Sequence, residues 1–158
     1  MNAIEPIKIT AEYVVQLRDP TTKEILKEIK GHNLHVNTGK NHVANRIAGL
    51  NTGTYLPIGY IGIGTDNTAA TVTDTALGSE VDRQSMSASY PQFQATGQAI
   101  FFAEWGTSEP SGQPHTLYEM GLFDDITGGN MFNRIVFSSG VTKDSSIEMT
   151  AKIIVTVL

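Results

Sequence analysis

Cysteine is absent from the 158-residue chain. Its absence excludes disulfide bonds, thiolate metal ligands and cysteine nucleophiles. The chain also lacks any apolar run near the ~20 residues that a membrane-spanning helix needs. Residues 1–6 show no basic region followed by an apolar stretch, so no secretory signal is expected. The length predicts one domain over residues 1–158. The protein is expected to be assembled in a cytoplasm and to have no membrane partner.

Charge is scarce and unevenly distributed. Charged residues make up 17% of the chain and the formal net charge is −5. Residues 1–50 carry seven Lys or Arg against five Asp or Glu, whereas residues 51–158 carry four against eleven. Because phosphate neutralisation needs clustered basic side chains, this composition predicts no nucleic-acid partner. The asymmetry could orient the molecule on a charged partner, or it could reflect surface composition alone.

Catalytic and cofactor patterns are incomplete. Gly62-Ile63-Gly64 follows an apolar strand, as in a dinucleotide-binding turn, but Asn67 stands where the third glycine belongs and no helix pattern follows. Glu104 and Glu119 lie beside aromatic residues and could form a catalytic carboxylate pair. They could equally be exposed strand residues paired with Lys or Arg. The sequence favours a protein that is not an enzyme and holds no cofactor.

Metal ligands are equally weakly indicated. The four histidines show no zinc-binding spacing. Asp66 and Asp74 lie in a Thr-rich stretch, and Asp124 and Asp125 precede a Gly-Gly pair, so these loops could offer oxygen ligands to calcium. No twelve-residue calcium-loop pattern is present, and Asp is a common turn former. We therefore expect these residues to shape turns, with no metal site.

Period-two alternation dominates both ends of the chain. Apolar residues occupy the odd positions of 7–17 and again of 147–157, which is typical of half-buried strands. A turn at 19–22 and a shorter strand around Ile25 and Ile29 complete an N-terminal hairpin over residues 1–30, with the option that it acts as an arm. Such long strands predict that at least one lies at a subunit contact. The alternative is that they pair with each other.

One helix and several shorter strands fill the middle of the chain. Val43, Ile47 and Leu50 recur at helical spacing, with Asn37 or Thr38 as the expected N-cap. Apolar or alternating runs predict further strands within residues 56–64, 83–90, 99–105, 117–123 and 131–137. The predicted fold is mainly β, an antiparallel sandwich or barrel of jelly-roll type with one short α-helix.

Aromatic residues suggest a binding role as one alternative. Trp105, His115 and Tyr118 lie on neighbouring predicted loops and strands and could contact a host sugar. Alternating aromatic residues in adjacent strands more often fill a core, since each buries a large area. A carbohydrate-binding β-sandwich therefore remains a second alternative function.

Two stretches resemble small structural proteins of tailed bacteriophages. The first, YIGIGTDNTAATVTDTALGSEVDR at residues 60–83, has an apolar strand ending in Gly-x-Gly-Thr, a Thr/Ala/Asp loop, then Leu-Gly-x-Glu and an Arg. The second, LYEMGLFDDITGGNMFNRIVF at residues 117–137, is similar to the Glu-x-Gly-Leu-Phe…Gly-Gly…Arg segment of the same family. The helix entry at 31–49 and the closing strand that follows the turn at 143–146 also resemble that family, so the likeness spans about residues 31–158.

The resemblance implies a β-rich virion component without catalytic residues. We expect an oligomer, a trimer, that decorates or cements the capsid and contacts itself and the major capsid protein. The alternative within the family is a tail, baseplate or fibre-adaptor protein that contacts other tail proteins. The expected location is the virion, after assembly in the host cytoplasm. The candidate interface residues are Ile7, Ile9, Tyr13, Leu77, Glu80 and Arg83, with Leu77 as a buried anchor and Glu80 paired with Arg83 or a neighbour.

Overall fold

A computed structural model describes residues 7–49 and 54–158. These residues form two five-stranded antiparallel sheets that share one core. The elements, in chain order, are β1 (Ile9–Arg18), β2 (Ile25–His32), β3 (Leu34–His35), α1 (Asn37–Ile47), β4 (Tyr60–Gly64), β5 (Glu80–Ser85), β6 (Gln92–Ala95), β7 (Gln98–Trp105), β8 (His115–Phe123), β9 (Met131–Lys143) and β10 (Glu148–Val157).

Strand order confirms the predicted antiparallel β-sandwich with a short helix. One sheet has the order β2-β1-β10-β7-β6 and the other β3-β9-β8-β4-β5. Several bounds differ from the sequence prediction. The strand expected over 83–90 is β5, which starts three residues earlier and ends at Ser85, and β9 extends past residue 137 to Lys143. Neither β3 nor β6 is predicted by the sequence. All four β6 residues are exposed, so β6 lacks the apolar alternation that would reveal it.

The two long terminal strands pair with each other. Their antiparallel register runs from Ile9 opposite Val157 to Arg18 opposite Glu148. The alternative raised from the sequence is therefore confirmed. Because β1 lies between β2 and β10, and β10 between β1 and β7, neither strand offers a free edge to a neighbouring chain. The hairpin of β1 and β2 is part of the sheet, with β2 at its edge. Residues 1–6 of the predicted arm lie outside the described residues.

Odd-numbered side chains of the terminal strands fill the space between the sheets. Tyr13 is 3% exposed, and its ring centroid lies 5.5 Å from that of Phe137 on the opposite sheet. The prediction that Tyr13 lies at a subunit interface is thus corrected, because its side chain belongs to the core of its own chain. Ile9 is partly buried against the same core, whereas Ile7 is 70% exposed.

Helix α1 packs across one end of the sandwich, where β1 begins and β10 ends. Neither Asn37 nor Thr38 caps it. The N-cap residue is Val36, with no side-chain cap, and the Thr38 hydroxyl donates instead to the carbonyl of Met131 at 2.6 Å. Gly39 lies so close to β9 that a Cβ there would overlap the carbonyl oxygen of Phe132. These contacts hold the first turn of α1 against β9.

Candidate functional site: two long loops held by buried cations

Arg134 on β9 joins three carboxylates. Its guanidinium is 4% exposed, and each nitrogen donates to a different residue. Nε donates to Glu119 Oε2 at 2.9 Å, Nη1 to Asp74 Oδ2 at 2.8 Å, and Nη2 to Asp66 Oδ2 at 2.9 Å. Arginine suits this position because its planar, permanently charged group offers donors in several directions. The arrangement ties loop 65–79 to the sheet.

Glu119 on β8 fastens the same loop through its backbone. The Glu119 side chain is fully buried. Its carboxylate accepts the backbone N–H groups of Gly78 at 2.9 Å, Ser79 at 2.8 Å and Asp66 at 3.3 Å. A buried carboxylate is stable only when it is paired and hydrogen-bonded. Arg134 and the loop backbone meet that requirement together, so the loop and the charge pair depend on each other.

Local turns bring the loop carboxylates to Arg134. Asp66 accepts from the N–H and the hydroxyl of Thr68, and these bonds, followed by Arg134, hold the pKa of Asp66 below its ordinary value. Thr71 donates its N–H and hydroxyl to Asp74. Burial alone would raise the pKa of Asp74, but the bonds from Thr71 and Arg134 lower it overall. Both aspartates therefore form turns, as predicted. Each also forms an ion pair with Arg134.

Glycines next to this centre leave room for the carboxylates. A Cβ on Gly64 would overlap the carboxylate of Glu119, and a Cβ on Gly78 would overlap that of Asp66. A Cβ on Gly62 would lie 2.8 Å from the Phe123 ring. The Gly-x-Gly pattern is thus explained by close approach of side chains and not by a cofactor.

Leu77, Glu80 and Arg83 make contacts within their own chain. Leu77 is 7% exposed and belongs to a buried cluster with Phe123. The expected pairing of Glu80 with Arg83 is confirmed, with bonds of 2.8 and 2.7 Å. Arg83 also donates to the carbonyls of Asp125 and Gly128 and lies 3.5 Å from the centre of the Phe123 ring. These three residues fasten the end of loop 65–79 to the β8–β9 turn, and their role as interface residues stays a prediction.

A second buried cation holds the other long loop. Lys143 at the end of β9 is fully buried, and its Nζ donates to Gln113 Oε1 at 3.2 Å and to the carbonyl of Asp144 at 2.8 Å. Burial lowers the pKa of Lys143, although nearby acidic residues oppose the shift. The bond to Gln113 tethers loop 106–114, just as Arg134 tethers loop 65–79.

A buried His–Asp pair joins α1 to the β8–β9 turn. His42 Nε2 and Asp124 Oδ2 are 3.2 Å apart, and both residues are less than 5% exposed. Asp124 also accepts from the N–H of Leu56 at 3.1 Å and from Asn130 through its N–H at 2.6 Å and its amide at 3.0 Å. Burial would raise the pKa of Asp124, but these donors lower it overall.

The predicted sugar contacts are not brought together. Trp105 is fully buried, and its Nε1 donates to Asp82 Oδ2 at 2.8 Å. The expected contact of Trp105 with a sugar is therefore corrected, because the ring has no surface to offer. His115 contacts the carbonyl of Ser111 at 2.8 Å, and Tyr118 packs against Gly140. Any sugar contact by these two residues stays a prediction.

Sequence reasoning missed the structural role of Glu119, Arg134 and Lys143. Glu119 was weighed only as a catalytic or exposed residue. Each of the first two is a single charge within an apolar strand, in LYEMGLF and MFNRIVF. Because a charge at such a position must be paired when the strand is buried, that pattern could have predicted the ion pair.

Comparisons with known proteins add no relative. No family model and no curated protein matches the chain. Within residues 7–49 and 54–158, no helix has the length and apolar character to cross a membrane. The same residues contain no group of three or more His, Cys, Asp or Glu side chains arranged to hold a metal ion.

Proposed function

We propose that the chain is a non-enzymatic structural protein of a bacteriophage virion, an oligomer that decorates the capsid. The sequence resemblance at residues 60–83 and 117–137 is its starting point. In this proposal the folded chain offers a stiff building block, and its contacts with itself and with the major capsid protein are its function.

The observation that carries the proposal is the contact between those two stretches. Glu119 and Arg134 of the second stretch bind Asp66, Asp74 and the Gly78 backbone of the first. The two stretches are far apart in sequence, and in the folded chain they contact each other. The contacts hold loop 65–79 in place and make it rigid. A rigid loop loses little conformational entropy when it docks on a partner, and this favours assembly.

A second feature that supports the proposal is the structural role of the buried charges. Arg134 and Lys143 both hold loops. The proposal therefore assigns these side chains to stability. Carbohydrate recognition receives no support from Trp105, because its ring is buried.

Mass spectrometry of purified particles tests the proposal directly. Particles are produced from the phage genome that encodes the chain and are purified through a density gradient. The expected result is that the chain stays with intact particles after washing in high salt. Its absence from particles that contain the other structural proteins would refute a virion role.

Subunit counting separates the two locations. A capsid-decorating protein is expected in proportion to the major capsid protein, and antibody-gold labels should lie over the whole head. About a dozen copies or fewer, with labels only on the tail, would instead identify a tail or baseplate protein, because tail structures have low cyclic copy numbers.

A further inference from the structure

Two apolar clefts flank α1 at the end of the sandwich where β1 begins and β10 ends. The first has a volume of about 210 Å³ and lies between Ile7, Ile9 and the N-terminal turn of α1. The second has a volume of about 360 Å³ and lies between α1 and the start of β6 and β7, with Val43, Ile47 and Phe101 in its lining. Phe132 lines both clefts. We name this surface the helix end.

Exposed apolar side chains concentrate at the helix end. Ile7 is 70% exposed, Ile47 76% and Phe93 78%, while Val157 is 46% exposed. Phe93 belongs here because β6 pairs with the first residues of β7, and Val157 because it pairs with Ile9. Single exposed apolar residues are ordinary, but a group beside open clefts is typical of a surface that another protein covers.

The charged side chains of the helix end are basic. Lys8 and Lys40 are exposed beside the first cleft, and Arg46 is exposed in the lining of the second. No Asp or Glu of the described chain lines either cleft. A partner for this surface must therefore combine apolar contact with negative charge.

The opposite end of the same molecule carries negative charge. The acidic residues near the β1–β2 turn, the end of β7 and the start of β10 are Asp19, Glu24, Glu104, Glu109, Asp144 and Glu148. Lys23, which binds Glu148 at 2.7 Å, Arg18 and Lys27 are the basic residues at the surface there, and Lys143 is buried, so acidic side chains outnumber basic ones. We name this surface the acidic end.

We propose that the helix end of one copy docks on the acidic end of a second copy, in a head-to-tail contact. A symmetric contact between two helix ends would bring Lys8, Lys40 and Arg46 against their own counterparts and would be repulsive. The head-to-tail contact instead pairs opposite charges. It also brings the apolar side chains of the helix end against Ile25 and Leu26, which are 47% and 55% exposed at the start of β2 beside the acidic end. Its biological purpose rests on the proposed assembly function, but the contact itself is a property of the purified protein.

Light scattering after gel filtration of the full-length protein tests the contact with two double variants. The helix-end variant carries Lys8→Glu and Lys40→Glu, and the acidic-end variant carries Glu24→Lys and Glu104→Lys. All four side chains are exposed, so both variants should fold, which circular dichroism verifies. Each alone should be monomeric, with the self-association constant weakened roughly a hundredfold by like charges. Lys30→Glu, which changes an exposed charge on β2, should leave the wild-type assembly intact.

Mixing the two variants is the decisive step. Each variant keeps one unaltered surface, and the two altered surfaces are again opposite in charge to each other, so an equimolar mixture should regain the association that each variant alone has lost. Phe93→Ser combined with Ile47→Ser should weaken wild-type assembly as well, since these side chains supply the apolar contact.

Three results would overturn the proposal. They are a wild-type protein that stays monomeric up to the solubility limit, an acidic-end variant that still assembles like the wild type, and a mixture that remains monomeric. None of these concerns the presence of the chain in particles, so a failure of the contact is distinguishable from a failure of the virion role.

Discussion

The Glu119–Arg134 pair lies where the side chains are at most 4% exposed. Removal of one partner from a buried ion pair leaves an uncompensated charge in a medium of low dielectric constant, which costs far more than the pair contributes. Loop 65–79 uses both members as anchors. Its order is therefore a consequence of two residues that lie outside it.

Arg134→Met should lower the free energy of unfolding by about 3–5 kcal/mol, because the buried Glu119 carboxyl group is left without its partner. Urea denaturation measures the change. Arg46→Met is the matched control, since Arg46 is exposed and, among residues 7–49 and 54–158, its side chain donates a single 3.3 Å bond, to the Tyr55 carbonyl. A change of roughly 0.5 kcal/mol or less is expected for the control. Equal effects of the two variants would show that the ion pair does not hold the fold.

The same variant should expose the loop to proteolysis. Limited digestion followed by mass spectrometry should find new cleavage sites within residues 65–79, since order in the loop depends on Arg134. Cleavage confined to other segments would contradict the anchoring role.

Two histidines, His42 which is buried and His35 which is half-buried, should make stability fall in mild acid. Burial lowers the pKa of His42, against the opposing effect of Asp124, and it also lowers the pKa of His35. The unfolded chain binds these protons near pH 6.5, whereas the folded chain binds them only at lower pH. Stability is therefore complete above about pH 7 and decreases as the pH falls toward 5.

His42→Gln should make this decrease smaller, because a Gln amide can donate to Asp124 without taking up a proton. Urea midpoints at pH 7, 6 and 5 measure the difference, and His35 should account for the slope that remains. The pKa values of Asp66, Asp74 and Asp124 are also lowered in the folded chain. These carboxylates stabilise the fold above about pH 4, and protonation removes their contribution to stability at lower pH. The part of that acid loss that comes from Asp66 and Asp74 should be the same in the variant, because their partners are Arg134, Thr68 and Thr71. An unchanged slope between pH 7 and 5 would exclude His42 as its source.

At the scale of elements, α1 depends on a backbone contact more than on its own sequence. Its N-cap makes no side-chain bond, and Gly39 in its first turn approaches the Phe132 carbonyl. A glycine in a helix normally weakens it. Here it allows the approach of α1 to β9, which places His42 next to Asp124.

Gly39→Ala tests this trade between propensity and packing. In an isolated helix the change would stabilise the helix by about 1 kcal/mol. In this fold it should destabilise the protein by roughly 1–3 kcal/mol, because the new methyl group meets backbone that cannot move freely. Thermal or urea unfolding shows whether the variant is more or less stable than the wild type. Gly59→Ala should be nearly neutral, because a Cβ there would lie 3.9 Å from the Pro57 carbonyl oxygen, an ordinary van der Waals distance. A stabilised Gly39→Ala protein would contradict the close packing.

At the scale of the whole molecule, both sheets share one core. Ile153 on β10 and Leu117 on β8 are fully buried in the same cluster. Trp105, the single tryptophan of the chain, is buried in that cluster as well. Its fluorescence therefore reports on the space between the sheets, while circular dichroism reports on the strands themselves.

The two signals should follow one urea transition, because a shared core of this size unfolds cooperatively. Ile153→Asp should abolish that transition, since the carboxylate would be buried without a partner. A separate circular-dichroism transition at lower urea concentration, before the tryptophan signal changes, would instead indicate that the β1–β2 hairpin unfolds as an independent arm.

The sequence by itself determined the local elements whose pattern repeats. Apolar residues on every second position of 7–17 and 147–157 predicted β1 and β10, since alternate side chains of a strand face one side. The helical spacing of Val43 and Ile47 predicted α1 in the same way. The lack of cysteine determined that the fold is held without disulfide bonds.

Only the tertiary structure decided which distant residues meet. The pairing of β1 with β10 joins residues nearly the whole chain apart, and alternation within a strand carries no information about its neighbour. The same pattern places Trp105 equally well in a core or on a surface, and the packing of the two sheets buried it. Glu119 and Arg134 became the anchor of loop 65–79 because the register of β8 and β9 placed opposite charges side by side away from water. Charges in such a place must pair, and only the packing that excludes water determines which charges these are.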